Sequence, residues 1–239
     1  MKSAISLSKV EATAPALVSL YKKAGDSLRE NALEGVRAAV YLVLDRSGSM
    51  RPYYRDGTVQ HLAERILGLA AHLDDDGVVP LIFFSTDVDG IAEISLSAYE
   101  GRVARLHDSL GHMGRTHTHW AMDAVIDHHL ASGSRAPALV VFQTDGGPSS
   151  RTAAERYLCR AARLPLFWQF VGFGDPDAND FAFLRRLDEL AVPARRVVDN
   201  AGFFHAGRDP RAVTDAELYD RLLDGFPAWL AAVRGGALG

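Results

Sequence analysis

Asp45, Ser47 and Ser49 stand two residues apart in "LVLDRSGSM" (42–50), directly after an apolar run. A carboxylate and two hydroxyls are hard oxygen donors, suited to Mg²⁺, Mn²⁺ or Ca²⁺ rather than to zinc, which prefers Cys and His. Two further segments offer the same chemistry. "GRTHT" (114–118) supplies Thr116, with Thr118 in reserve, and "TDGGPS" (144–149) supplies Asp145. Asp45, Ser47, Ser49, Thr116 and Asp145 together form an oxygen set in which two members carry charge. If the three hydroxyls bind directly and the two carboxylates act through water, one position of an octahedral Mg²⁺ stays open. Gly48 and Gly146 let the backbone turn sharply beside such an ion. A helix N-cap is the competing explanation of "DRSGSM", since Asp and Ser cap well. A D-x-S-x-S spacing alone is weak. Its weight comes from its place after a buried strand, with a Thr before a helix and an Asp after a later strand.

These residues can act together only if the intervening elements bring three loops to one edge. "AAVYLVLD" (38–45) reads as a strand buried on both faces, and 58–73 has helical periodicity with Leu62, Ile66, Leu69 and Leu73 on one face. Strands are expected at 78–85, 91–97, 138–145, 165–174 and 195–203, with helices at 98–110, 119–131, 150–163, 181–190 and 214–233. Continuous apolar strands separated by amphipathic helices imply an α/β domain: a doubly wound, mostly parallel sheet with helices on both faces. The short gap between the strands at 78–85 and 91–97 leaves no room for a parallel crossover, so that pair should be antiparallel, at one edge. In such a sheet ligands bind at the carboxyl ends of the strands, where the three loops lie. Residues 1–36 read as an N-terminal helical extension packing on a domain that spans 37–239, with a helix in "ALVSLYKKAGDSLRENAL".

The whole chain sets outer limits. Its 239 residues, 48% hydrophobic and 23% charged, are those of an ordinary globular domain. A net charge of −4 argues against nucleic-acid or anionic-membrane partners. One cysteine, Cys159, excludes an intrachain disulfide and suits a reducing cytoplasm. No secretory signal and no bilayer-spanning run are expected.

Other features are weighed against structural explanations. His112, His117, His119, His128 and His129 cluster, but His117-x-His119 lacks the helical spacing of zinc enzymes, so solvated or capping histidines are expected. "DDDG" (74–77) reads as a solvated loop, and "DPDAND" (175–180) as a loop ending in a helix cap. Cys159 is expected to be a small buried hydrophobe. Trp120 either lines the metal face or packs in the core. Arg46, Arg51 and Arg115 flank the site and are expected to add screened attraction to an acidic partner. An enzyme is disfavoured: there is no nucleophile elbow, dinucleotide fingerprint or phosphate loop, and no Lys near the three loops to support a phosphoryl group.

Asp45-x-Ser47-x-Ser49, Thr116 and Asp145 resemble the metal-ion-dependent adhesion site (MIDAS) of von Willebrand factor A (vWA) domains, and "GRTHT" resembles the matching loop of some integrin inserted domains. Most of the chain resembles the cytosolic vWA domains of the bacterial tellurium-resistance (Ter, TerF-like) group, in "SLYKKAGDSL", "LDRSGSM", "DGTVQ", "LDDDGVVP", "FLRRLDEL", "VDNAGFF" and "ELYDRLLDGFPAWL". That group is expected to carry a Gly- and Asn-rich second loop, where this chain has Arg115 and His117, so both Thr116 and Thr118 stay open as the metal-bound threonine. The resemblance implies a Rossmann-like vWA fold and a non-enzymatic, Mg²⁺-dependent (or Mn²⁺/Ca²⁺-dependent) module. It would bind a protein partner that presents an Asp or Glu to the metal, among them other Ter-group proteins, in a cytoplasmic tellurite or chemical-stress resistance complex. Metal-dependent phosphohydrolase, and adaptor for an AAA+ ATPase or a kinase–phosphatase system, are the alternatives.

Overall fold

Ala39–Asp45 (β1) is apolar on both pleat faces because it is the centre of the molecule: every residue from Val40 onward is buried. The computed structural model describes residues 3–175, 177, 181–192 and 194–238. Among these, six strands form one sheet in the order β3-β2-β1-β4-β5-β6. The others are Val78–Phe84 (β2), Val88–Ser95 (β3), Ala138–Thr144 (β4), Leu166–Gly172 (β5) and Ala201–His205 (β6). All pairings are parallel except β2–β3, which is antiparallel and lies at one edge, as the short connection requires. The strand order reverses on either side of β1, so the crevice at its carboxyl end is the topological switch point.

Alternation along β1 divides the core. Val40, Leu42 and Leu44 face one apolar layer, and Tyr41 and Val43 face the other. The first layer is closed by Val18–Glu30 (α2), Thr58–Leu73 (α4), Asp215–Leu223 (α9) and Phe226–Arg234 (α10). The second is closed by Thr118–Ala131 (α6), Arg151–Ala161 (α7) and Ala182–Asp188 (α8). Buried residues on α4 extend beyond its periodic stripe, because α2 lies over its outer side, with the preceding Leu7–Thr13 (α1) packed on α2. Backbone bonds from Ala4 and Ile5 to the carbonyls of His72 and Ala71 tie this N-terminal segment down. A short helix, Arg51–Arg55 (α3), and another, Arg102–Ser109 (α5), complete the described α-helices.

Three expectations change. The helix expected at 214–233 is two helices. Gly225, at φ +77°, turns the chain between α9 and α10, and Pro227 opens the second. The strand expected from 195 begins only at Ala201. Arg195 and Arg196 instead donate their backbone N–H groups to the Ala191 carbonyl, and the buried Arg196 side chain bonds the carbonyls of Asp188 and Leu190. His129 is buried on α6 rather than solvated, while its neighbours Asp127 and Leu130 are exposed. Cys159 is half-buried against the same layer. Most of the "DPDAND" segment, residues 176 and 178–180, lies outside the described residues. The outer strand β3 has a bulge opposite Phe83 and Phe84, and its Ile91 is 53% exposed.

Candidate metal centre

β1 delivers Asp45 to the switch point fully buried, at 0% exposure. Its carboxylate is held from two loops. The Ser47 amide donates to Oδ1 at 2.6 Å and the Thr144 hydroxyl donates to Oδ2 at 2.6 Å. The Tyr54 hydroxyl donates to its carbonyl at 3.0 Å. Ser47 is buried and Ser49 is exposed; their hydroxyl oxygens lie 3.2 Å apart, and Ser47 Oγ donates to Asp145 Oδ1 at 3.4 Å. Side-chain bonds thus join the first loop to the third.

Backbone bonds bring in the second loop. The Gly48 amide donates to the Gly114 carbonyl at 3.0 Å, and the Ser149 amide donates to the Thr116 carbonyl at 2.8 Å. Glycine at 114 is required by crowding: a Cβ there would lie 2.3 Å from Thr86 Oγ1 and 2.9 Å from Ser85 Oγ. These two hydroxyl residues follow β2 and brace the loop, with Thr86 Oγ1 accepting from the Arg115 amide. Thr116 is half-buried between the other two loops. Thr118 opens α6, and its buried hydroxyl has no hydrogen-bond partner among the described residues. So Asp45, Ser47, Ser49 and Asp145 meet through side chains, Thr116 joins through its backbone, and the Thr118 hydroxyl makes no bond to any of them.

Two carboxylates lie close together at this point. Burial, and then the nearby Asp145, push the Asp45 carboxyl up from 3.8 to about 7. Burial also raises Asp145, against the lowering effect of hydrogen bonds from Ser49 and Ser47. The closest guanidinium in sequence does not help. Arg46, expected at the surface, is 1% exposed and points away: it pairs with Asp89 at 2.7 Å and donates to His107 Nδ1 at 3.1 Å and to the Gly111 carbonyl at 2.9 Å. The turn after β1 sends this side chain under the second loop. Arg51 and Arg115 are exposed, as expected. Two buried carboxylates and converging hydroxyls are a donor set that fits a hard divalent ion. Among the described residues no group of three or more His, Cys, Asp or Glu is arranged to hold a metal. Trp120, on the first turn of α6 beside His119, is 44% exposed and does not belong to the core.

Sequence reading missed three contributors. Thr144, next to Asp145, holds Asp45. Gly114 admits the second loop, and Arg46 anchors it. The signals were present as "TD", as a glycine before "RTHT", and as an Arg inside the first motif, but none of them shows direction.

A family model for the vWA domain found in the TerF C terminus matches residues 37–238. The chain belongs to this TerF-like vWA family. Domains of the vWA kind often bind metal and mediate protein interactions. This vWA domain is 37% identical over 207 residues to the "Uncharacterized protein YcbR" of Bacillus subtilis (strain 168), covering 85% of this chain and 82% of that one. In fold it is similar to the manganese-loaded TRAP protein of Plasmodium vivax, with a TM-score of 0.53 at 18% identity, covering 81% of this chain and 74% of that one. It is similar also to a von Willebrand factor type A protein from Catenulispora acidiphila, with a TM-score of 0.51 at 16% identity, covering 78% and 42%. Among the described residues no helix is long and apolar enough to cross a membrane.

Proposed function

We propose that this vWA domain is a divalent-metal-dependent protein-binding module with a MIDAS-type centre. Ser47, Ser49 and Thr116 contact the ion, while Asp45 and Asp145 act through water and hydrogen bonds that orient the hydroxyls. When bound, the ion supplies an electrophilic open position for a carboxylate from a partner protein. The protein residues do the rest. Thr144 and the Ser47 amide fix Asp45, Ser47 bridges to Asp145, and Gly114 lets the Thr116 loop close on the first loop. Exposed Arg51 and Arg115 favour an acidic partner surface, and exposed Trp120 offers an aromatic contact beside the site. The observation that carries this reading is the convergence of two buried carboxylates, Asp45 and Asp145, on the Ser47 and Ser49 hydroxyls.

The ion is Mg²⁺ or Mn²⁺, a choice supported by the hard oxygen donors and by the manganese in the Plasmodium vivax TRAP structure. We read the module as non-catalytic, since the three loops carry no nucleophile elbow, no phosphate loop and no Lys to support a phosphoryl group. The TerF-like family supports a finer reading, a cytoplasmic complex with other Ter-group proteins that counters tellurite or related chemical stress. Calorimetric titration with Mg²⁺ and Mn²⁺ tests the centre: wild type binds with measurable heat and Asp45→Ala does not. Pull-down from extract tests the partner, which is released by EDTA, restored by Mg²⁺, and lost from Ser47→Ala with Ser49→Ala. Equal heats from wild type and Asp45→Ala, or a partner indifferent to both EDTA and the double variant, refute the reading.

A further inference from the structure

At the other end of the sheet, two cavities adjoin around Asp199, Ala201 and Gly225. One, of about 310 Å³, is apolar: Phe167, Val192, Val198, Trp229 and Ala232 line it. The other, of about 250 Å³, is acidic: Asp188 closes it from the end of α8, Asp199 from the approach to β6, and Asp224 from the turn between α9 and α10. Its wall holds Gln169, 1% exposed, whose buried Oε1 has no hydrogen-bond partner among the described residues. That amide occupies the space above Gly202, another lining residue, where a Cβ would stand 2.4 Å from Oε1. A buried acceptor without a donor is unfavourable unless a ligand or water supplies one.

The charges around the acidic lobe do not cancel. Arg196 lies beside it, its guanidinium committed to Asp199 at 2.9 Å and to the carbonyls of Asp188 and Leu190, and Arg185 sits over the ring of Phe203, 5.5 Å from its centroid. The Asp188 and Asp224 carboxylates make no ion pair or hydrogen bond among the described residues, and Glu189 adds to the field. Burial first, then Asp199, raise the Asp188 carboxyl to about 6. The lobe therefore presents acceptors and negative charge, and the adjoining lobe presents aliphatic and aromatic surface.

We propose that this cleft binds a small organic cation, an ammonium compound with an apolar body, its charged head among Asp188, Asp224 and Gln169 and its body against Phe167 and Trp229. The ammonium supplies the donor that Gln169 Oε1 lacks and offsets the two unpaired carboxylates. The apolar cavity is of the size that small ligands fill. Neither lobe touches the five oxygen ligands, so the proposal is independent of the metal reading.

The test is an NMR titration of the full chain with n-hexylammonium chloride at neutral pH, in excess MgCl₂ so that the metal face is occupied. n-Hexanol and n-hexanoate are the controls of equal length. The cation should shift the Gln169 side-chain amide, the Trp229 indole N–H and the Gly202 and Gly225 amides saturably. It should bind roughly tenfold more tightly than the alcohol, while the carboxylate causes no shift there. Asp188→Asn with Asp224→Asn should bring cation affinity down to that of the alcohol. Asp224→Lys, an exposed position where folding is not at risk, should abolish cation binding. Equal affinity for cation and alcohol, shifts confined to other residues, no saturable shift, or full affinity in either variant overturns the proposal.

Discussion

Arg46→Met removes a cation that lies between two residues of the metal centre yet touches neither ion nor partner. The guanidinium is 1% exposed and bonds Asp89, His107 and the carbonyls of Leu110 and Gly111. Without it, Asp89 retains only the 2.8 Å bond from Ser85 Oγ, and two carbonyls at the root of the second loop lose their donor. Breaking a buried pair from one side costs about 3–5 kcal/mol. For a chain of this size that corresponds to a fall in melting temperature of roughly 6–20 °C. Urea unfolding in EDTA measures the cost without metal linkage, and the same experiment in 1 M salt separates two accounts. A buried pair is little screened, so the loss persists; a surface arginine's contribution would vanish. Arg46→Met with Asp89→Leu should recover part of the loss, because the carboxylate is no longer stranded. A cost below about 1 kcal/mol for the single variant, or one that disappears in salt, refutes this assignment of Arg46.

Gly114→Ala should cost about 1–3 kcal/mol and weaken Mg²⁺ binding in calorimetry, because its Cβ meets Thr86 and pries the second loop from the first. Gly225→Ala should lower stability by more than about 1 kcal/mol in urea unfolding, since the position requires φ +77° and its Cβ would stand 3.1 Å from Phe167. Asp188→Asn should leave stability unchanged near pH 4 and raise it above pH 6. The folded carboxyl keeps its proton to about 6 where the unfolded one loses it near 3.8, so its ionisation destabilises the native state progressively across that window. Parallel melting curves of this variant and wild type from pH 4 to pH 8 check the sign, and a gain confined to acid would contradict it.

The sheet was legible because its signals are strong and local. β1, β4 and β5 are uninterrupted apolar runs, and the gap before β3 permits only a hairpin. Asp45, Ser47, Ser49 and Asp145 were legible for the same reason: a strand end fixes where the next few residues go. What escaped was direction and reach. Arg46 and Arg196 are charged, so exposure is the default, yet each finds carbonyls and a carboxylate within the fold that outweigh hydration. Nothing in a one-dimensional pattern shows that Leu110, Gly111 and Asp89 converge on residue 46. The α9–α10 break was signalled by "DGFP", where Gly225 and Pro227 interrupt a helical periodicity that otherwise runs on. The burial of His129 depends on how α6 rolls against the sheet, a packing outcome rather than a spacing.

The hairpin partner β3 leaves one row of backbone amides and carbonyls without a neighbour, an invitation to strand-to-strand aggregation. The chain blunts that invitation with acids at Asp87 and Glu93 and with the irregular register beside Phe84, which twists the border away from flat pairing. Ile91 is the exception, an oily residue displayed on this border. On this border Ile91→Lys is the substitution that removes the apolar contact a second strand would use.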